Sequence, residues 1–156
     1  MVTSVEVTEG NDADYPQFAP LVAETAKHVK VRRVSADKAY SGTFNVAYVA
    51  TLGAVPLLPF KANAPGGDGP MTIWRRLFHV YSFQRDTFLA HYHKRSNVET
   101  TFSMMKAKFG DGLRSKSEVA QCNEAFLKEP CHNICCVIQS THELGSAPTF
   151  WQTQAG

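Results

Sequence analysis

"HYHKRSNVETTFSMMKAKFG", residues 91–110, sets Arg95, Glu99 and Lys106 among apolar side chains at helical spacing. On a helix that turns about 100° per residue, Tyr92, Arg95, Glu99 and Lys106 share one sector of roughly 60°. Val98, Phe102, Met105 and Phe109 form an adjoining apolar stripe. Such a helix is expected to bury the stripe against a sheet and to present, along its edge, an acid flanked by bases. A carboxylate held there can ligate a divalent metal, and the arginine and lysine can hold phosphates beside it. Two plainer readings use the same residues. Arg95 and Glu99 suit an i,i+4 surface ion pair worth about 0.3 kcal/mol. Ser96 and Glu99 also match the Ser-x-x-Glu capping box, which would start the helix at Ser96 and leave Tyr92 outside it.

Upstream, the chain alternates strand-like and helix-like stretches. "VTSVEVTE" places Val5 and Val7 against polar neighbours with the period of a half-buried strand. Phe18, Leu21, Val22 and Val29 then space as one helical stripe, with Pro16 and Pro20 at its start. "VKVRRVSAD" is short and Val-rich and ends in Asp37. "SGTFNVAYVATLG" predicts a helix closed by Gly53, and "AVPLLPF" a strand that Pro56 and Pro59 confine to a sheet edge. Strand, helix, strand, helix, strand points to a parallel α/β layer of three strands with flanking helices, followed by a helical C-terminal part. Asp37 stands where a strand runs out, the place ligands favour in open α/β sheets, although an aspartate there can equally be the cap of the next helix. "KANAPGGDGP" reads as a loop, and Trp74, Leu77, Phe78 and Tyr81 recur at helical spacing after it. A last helix is expected from Ser117 to about His142, ended by Gly145 and interrupted by Pro130.

Hydrophobic residues make up 44% and charged residues 19% of the 156, which excludes a disordered chain; with no long apolar run and no signal-like start, the expected location is the cytoplasm, without membrane contact. The net charge of +2 is unevenly spread. Between Met71 and Lys116 nine Lys or Arg face three Asp or Glu, whereas residues 117–156 hold one Lys against four Glu. The middle of the chain is therefore where a polyanion would bind, unless the basic block is an ordinary solvated helix face. Cys122, Cys131, Cys135 and Cys136 crowd into one stretch, which suits reduced thiols. With His132 they could pair as zinc ligands one helical turn apart, or simply pack as buried thiols.

Tyr92, Arg95, Glu99 and Lys106, at those separations, resemble the tyrosine-arginine-glutamate-lysine signature of bacterial insertion-sequence transposases of the DDE class. "YHKRSNVETTFSMMKAKFG", "LRSK", "QCNEAFLK", "CHNI" and "SADKAY" around Asp37 look like the same family, and the resemblance runs from "VTSVEVTEG" to about Phe150. It implies residues 1–145 as a partial catalytic domain of ribonuclease-H-like fold, with 146–156 as a tail. It implies Asp37 and Glu99 as catalytic metal ligands for two Mg2+ ions, with Mn2+ as a substitute, acting in phosphoryl transfer that cuts and joins DNA. It implies Tyr92, Arg95 and Lys106 as contacts to double-stranded DNA at transposon ends, with a homodimer on that DNA, no small-molecule substrate and a nucleoid-associated location. Trp74 is a possible base-stacking surface or a core residue. In this family the first catalytic aspartate lies on a central strand upstream of the residues here; Asp14, in "GNDADYPQF", matches a structural aspartate in a turn before a helix, and Asp12 lies beside it. The expectation is a truncated transposase, from a decaying or frameshifted copy and inactive alone, with a DNA-binding remnant without chemistry as the alternative.

Overall fold

Val34 in "VKVRRVSAD" sits in an extended backbone that β-branched side chains favour, and Arg33–Ser35 forms the first strand, β1. The computed structural model describes residues 1–8, 13–61, 64 and 71–145. Asp12, most of the expected 61–70 loop and the 146–156 tail lie outside the described residues. Those described gather into two units, Thr8–Thr100 on one hand and Met1–Val7 with Thr101 onward on the other.

In the Thr8–Thr100 unit, the helix α1 (Phe18–His28) precedes β1, and α2 (Thr43–Thr51) carries the chain from β1 to β2 (Val55–Leu57). The two strands pair in parallel with Arg33 opposite Val55, Val34 opposite Pro56 and Ser35 opposite Leu57. Pro56 is tolerated because a two-stranded sheet has only edges. The crossover is tight. Asn45, buried on α2, donates from Nδ2 to the Tyr40 carbonyl at 2.9 Å, fixing the helix to the turn that follows β1. Gly53 ends α2 with φ 69°, a left-handed conformation that side chains resist. Val46 and Val49 of α2 are fully enclosed with Leu58, just beyond β2.

Phe60 follows and anchors α3 (Ile73–Phe83), with Trp74, Phe78 and Tyr81 rings centred 4.5, 5.2 and 5.3 Å from its own. Trp74 thus uses its ring in the packing, as its helical spacing suggests. Tyr81 in turn meets Phe88 of α4 (Arg85–Tyr92) edge to face at 5.1 Å. Phe88 is 1% exposed.

In the other unit, the expected first strand does not form. Residues 1–8 run without strand pairing, and the Val2 N–H and C=O are taken instead by the Asn133 side-chain amide, at 2.8 and 2.7 Å. An alternating pattern makes a strand only where a neighbour supplies the ladder, and here a helix side chain meets the backbone first. The sheet accordingly has two strands and not three. Helix α5 (Ser96–Phe109) leads into this unit, and α6 (Glu118–Leu144) dominates it. Ser117 caps α6, its hydroxyl accepting from Ala120 N, and Gly145 ends it with φ 63°. The expected interruption at Pro130 is absent. Pro130 and Phe126, whose carbonyl loses its helical N–H partner there, are both exposed residues, and the helix continues through the proline.

One face of α6 holds the 110–116 loop. The Glu124 carboxylate accepts from Arg114 N and Ser115 N at 2.9 to 3.0 Å, Lys128 Nζ donates to Gly112 O at 2.9 Å, and Gln121 donates to Ser115 O at 3.0 Å. The Arg114 and Ser115 amides, in that order, hold the Glu124 carboxyl below its ordinary 4.5.

Two outcomes follow from this packing. Phe88→Ala should lower stability by about 3–5 kcal/mol in urea unfolding, because a buried ring is lost from between Tyr81 and Tyr92. A carboxyl depressed by folding contributes stability that is complete above 4.5 and lost as pH falls through the folded value. The protection factors for hydrogen exchange at the Arg114 and Ser115 amides, taken against the intrinsic rate at each pH, should therefore fall on acidification below 4.5, and in Glu124→Gln they should already be low at neutral pH.

Candidate metal and DNA site

Asp37 lies two residues beyond β1 and opens the 3-10 turn Lys38–Tyr40. Its backbone is extended (φ −66°, ψ 160°) and its carbonyl accepts from Tyr40 N at 3.0 Å, but its carboxylate makes no capping bond. The carboxylate turns instead to Arg95, with Oδ2 at 3.8 Å from Nη1. The other guanidinium nitrogen, Nη2, donates to Glu99 Oε1 at 2.7 Å. One arginine therefore stands between the two acids that sequence reasoning singled out. Neither contact is deeply buried: the side chains of Arg95, Asp37 and Glu99 are 27%, 49% and 64% exposed.

Tyr92 supplies the fourth member. It stacks on Phe88 with ring centres 5.9 Å apart, and the Arg95 guanidinium carbon lies 5.6 Å from the centre of its ring. Burial raises the Tyr92 hydroxyl above its ordinary 10.0; Arg95 opposes the rise, and the charges of Asp37 and Glu99 add to it. The phenol thus senses all three charged groups. Tyr40, packed on Phe18, is likewise raised, first by burial and then by Asp14 and Asp37.

The helical geometry differs from the expectation. Tyr92 ends α4, a 3-10 turn spans His93–Arg95, and α5 starts only at Ser96. The steady 100° rotation assumed for residues 92–106 breaks at that tighter turn, yet Tyr92, Arg95 and Glu99 still converge. The helix start agrees with the capping reading, but the Glu99 carboxylate is spent on Arg95. The apolar stripe is not buried as expected, since Val98 and Phe102 are 50% and 56% exposed and Met105 and Phe109 only half-buried. Lys106 belongs to the other unit, where it is exposed and lines an apolar groove of about 290 Å³ with Phe102, Met105 and Val5. His132 is buried with Nε2 3.4 Å from Cys136 Sγ, while Cys122 and Cys131 are exposed; the zinc arrangement does not assemble among the described residues.

Beside Asp37 opens a cavity of about 830 Å³ that sequence reasoning missed, floored by Phe60, Phe78 and Tyr81 and rimmed by Lys38, Lys61 and Arg85. Arg85 lies over the Tyr81 ring at 5.0 Å. Lys38 and Lys61 each follow a strand closely, and a parallel pair brings both carboxyl ends to one side. That topological fact is what could have joined them.

A family model described as the transposase DDE domain matches residues 1–134. The chain belongs to the transposase DDE domain family. No curated protein and no solved structure matches it. Transposases of this family act on DNA and generally use divalent metal ions. The donor set fits such an ion in part. Asp37 and Glu99 offer hard carboxylate oxygens, each in contact with the Arg95 guanidinium, and Mg2+ commonly takes one or two carboxylates and completes its shell with water and phosphate. Among the described residues, no third His, Cys, Asp or Glu joins them. Among the described residues, too, no helix of this DDE domain is long and apolar enough to cross a membrane.

The fold favours the neutral Tyr92 phenol, so the stability this brings is present below 10.0 and lost as pH rises through the higher folded value. Ultraviolet titration of the protein, with Tyr92→Phe subtracted, should show this hydroxyl ionising above 10.0, and Arg95→Gln should move it higher still.

Proposed function

We propose that Asp37 and Glu99 are the second aspartate and the glutamate of a DDE transposase centre on a ribonuclease-H-like framework of which β1, α2 and β2 are part. The observation that carries this reading is the single Arg95 guanidinium held by both carboxylates, which marks a place where cationic charge is bound. A divalent metal there would supply Lewis-acid activation of a water or a DNA 3′-hydroxyl and charge stabilisation at the scissile phosphate. The chain's own residues orient and hold. Asp37 and Glu99 fix the metal-binding oxygens, Arg95 and Lys106 take phosphate oxygens of double-stranded DNA, and Tyr92 keeps Arg95 in place through its ring. Lys38, Lys61 and Arg85 extend the positive surface along the cavity beside Asp37. Cleavage and strand transfer at paired transposon ends would engage two copies of the protein.

A reading as a DNA-binding domain without chemistry is favoured by a different fact, that only two carboxylates meet among the described residues. Two-metal chemistry demands a fuller cage, so the isolated chain is expected not to nick DNA. Mn2+ binding followed by calorimetry should be weakened by Asp37→Asn and by Glu99→Gln, with DNA binding that falls steeply as salt rises. Salt-sensitive DNA binding with no Mn2+ binding dependent on these acids would favour the second reading. Mn2+-dependent nicking by the chain alone, abolished by Glu99→Gln, would show that the two acids suffice.

A further inference from the structure

Resting on that reading of the site, we infer that Arg95 is a built-in stand-in for the metal: it offsets part of the charge of Asp37 and Glu99 in the free protein, and its transfer to a DNA phosphate opens the pair to a divalent cation. Nη1 faces Asp37 Oδ2 at 3.8 Å and Nη2 bonds Glu99 Oε1 at 2.7 Å, so the two ends of the fork serve different acids. A guanidinium and a divalent ion cannot both sit between them without strong repulsion. The arrangement is also easily opened. Asp37 and Glu99 are about half or more exposed, and ion pairs of that kind are worth little. The guanidinium rests against an ordered aromatic surface, its carbon 5.6 Å from the centre of the Tyr92 ring, and Tyr92 is stacked on buried Phe88. Rotation of the Arg95 side chain can carry the guanidinium from the two carboxylates to a phosphate oxygen and so vacate the space between them. Metal and DNA binding are then positively coupled through one side chain, and the coupling is reciprocal.

The test measures Mn2+ affinity of the full chain by calorimetry, without and with a short DNA duplex. Arg95→Gln should bind Mn2+ alone roughly threefold to tenfold more tightly than the unaltered protein, because a competing cation is gone and both carboxylates remain. Arg95→Lys, which keeps the charge but cannot fork, should fall between them and serves if the glutamine variant loses its helical circular dichroism. The duplex should raise Mn2+ affinity in the unaltered protein by a larger factor than in Arg95→Gln. Unchanged or weaker Mn2+ binding in both Arg95 variants, while Asp37→Asn and Glu99→Gln still weaken it, would overturn the exchange and leave the site standing. Mn2+ binding indifferent to Asp37→Asn and Glu99→Gln would remove the site itself, and the exchange with it.

Discussion

Three residues of β1 paired in parallel with three of β2 set the position of everything at the site. Parallel pairing makes both strands end on the same side, so the chain leaving Ser35 delivers Asp37 and Lys38 to the edge where the chain leaving Leu57 delivers Phe60 and Lys61. An antiparallel pair would send those four residues to opposite ends. The pairing itself needs the α2 crossover, and α2 is seated by Val46 and Val49 in the core and by the Asn45 bond to the Tyr40 carbonyl. A short sheet thereby becomes a reliable mount: its hydrogen bonds are few, but the apolar burial around it is continuous.

From that mount, aromatic contacts carry the core outward to the charged groups. Phe60 packs on Tyr81, Tyr81 on Phe88, Phe88 on Tyr92, and the Tyr92 ring lies under Arg95. Each ring is planar with few rotamers, so positional order is passed along with little loss. The consequence is a partly solvent-accessible arginine whose guanidinium lies beside an ordered ring. A charged group on a floppy surface would contribute field without geometry, whereas phosphate recognition by a guanidinium depends on geometry.

Much of this was legible in the sequence, for identifiable reasons. The limits of α2 and α6 follow from Gly53, Ser117 and Gly145, whose local roles do not depend on the rest of the fold. Asp37 after a strand, and Arg95 one turn before Glu99, could be placed by period and topology alone. The failures share a cause. Whether "VTSVEVTE" becomes a strand depends on a partner strand, and whether Val98 and Phe102 are buried depends on what packs against them; neither is a local property. The turn at His93–Arg95 was hidden because a 3-10 segment keeps the same residue types as the α-helix around it. The cavity rimmed by Lys38, Lys61 and Arg85 was hidden because its three bases come from separate segments.

The exposure of the two acids also bears on why an arginine between them is useful. A fully buried Asp-Arg-Glu cluster would be costly to dismantle, since removing the arginine would strand two unpaired carboxylates in a dry interior. Here water reaches Asp37 and Glu99, so the pair tolerates losing Arg95 to another partner. Without any cation between them, however, two like charges brought together by α5 and the end of β1 would repel and disfavour the local fold. Arg95 offsets part of that repulsion through contacts that water still reaches. Partial exposure, weak pairing and an ordered aromatic ring beside the guanidinium are thus three parts of one arrangement, which brings the two acids together without locking them.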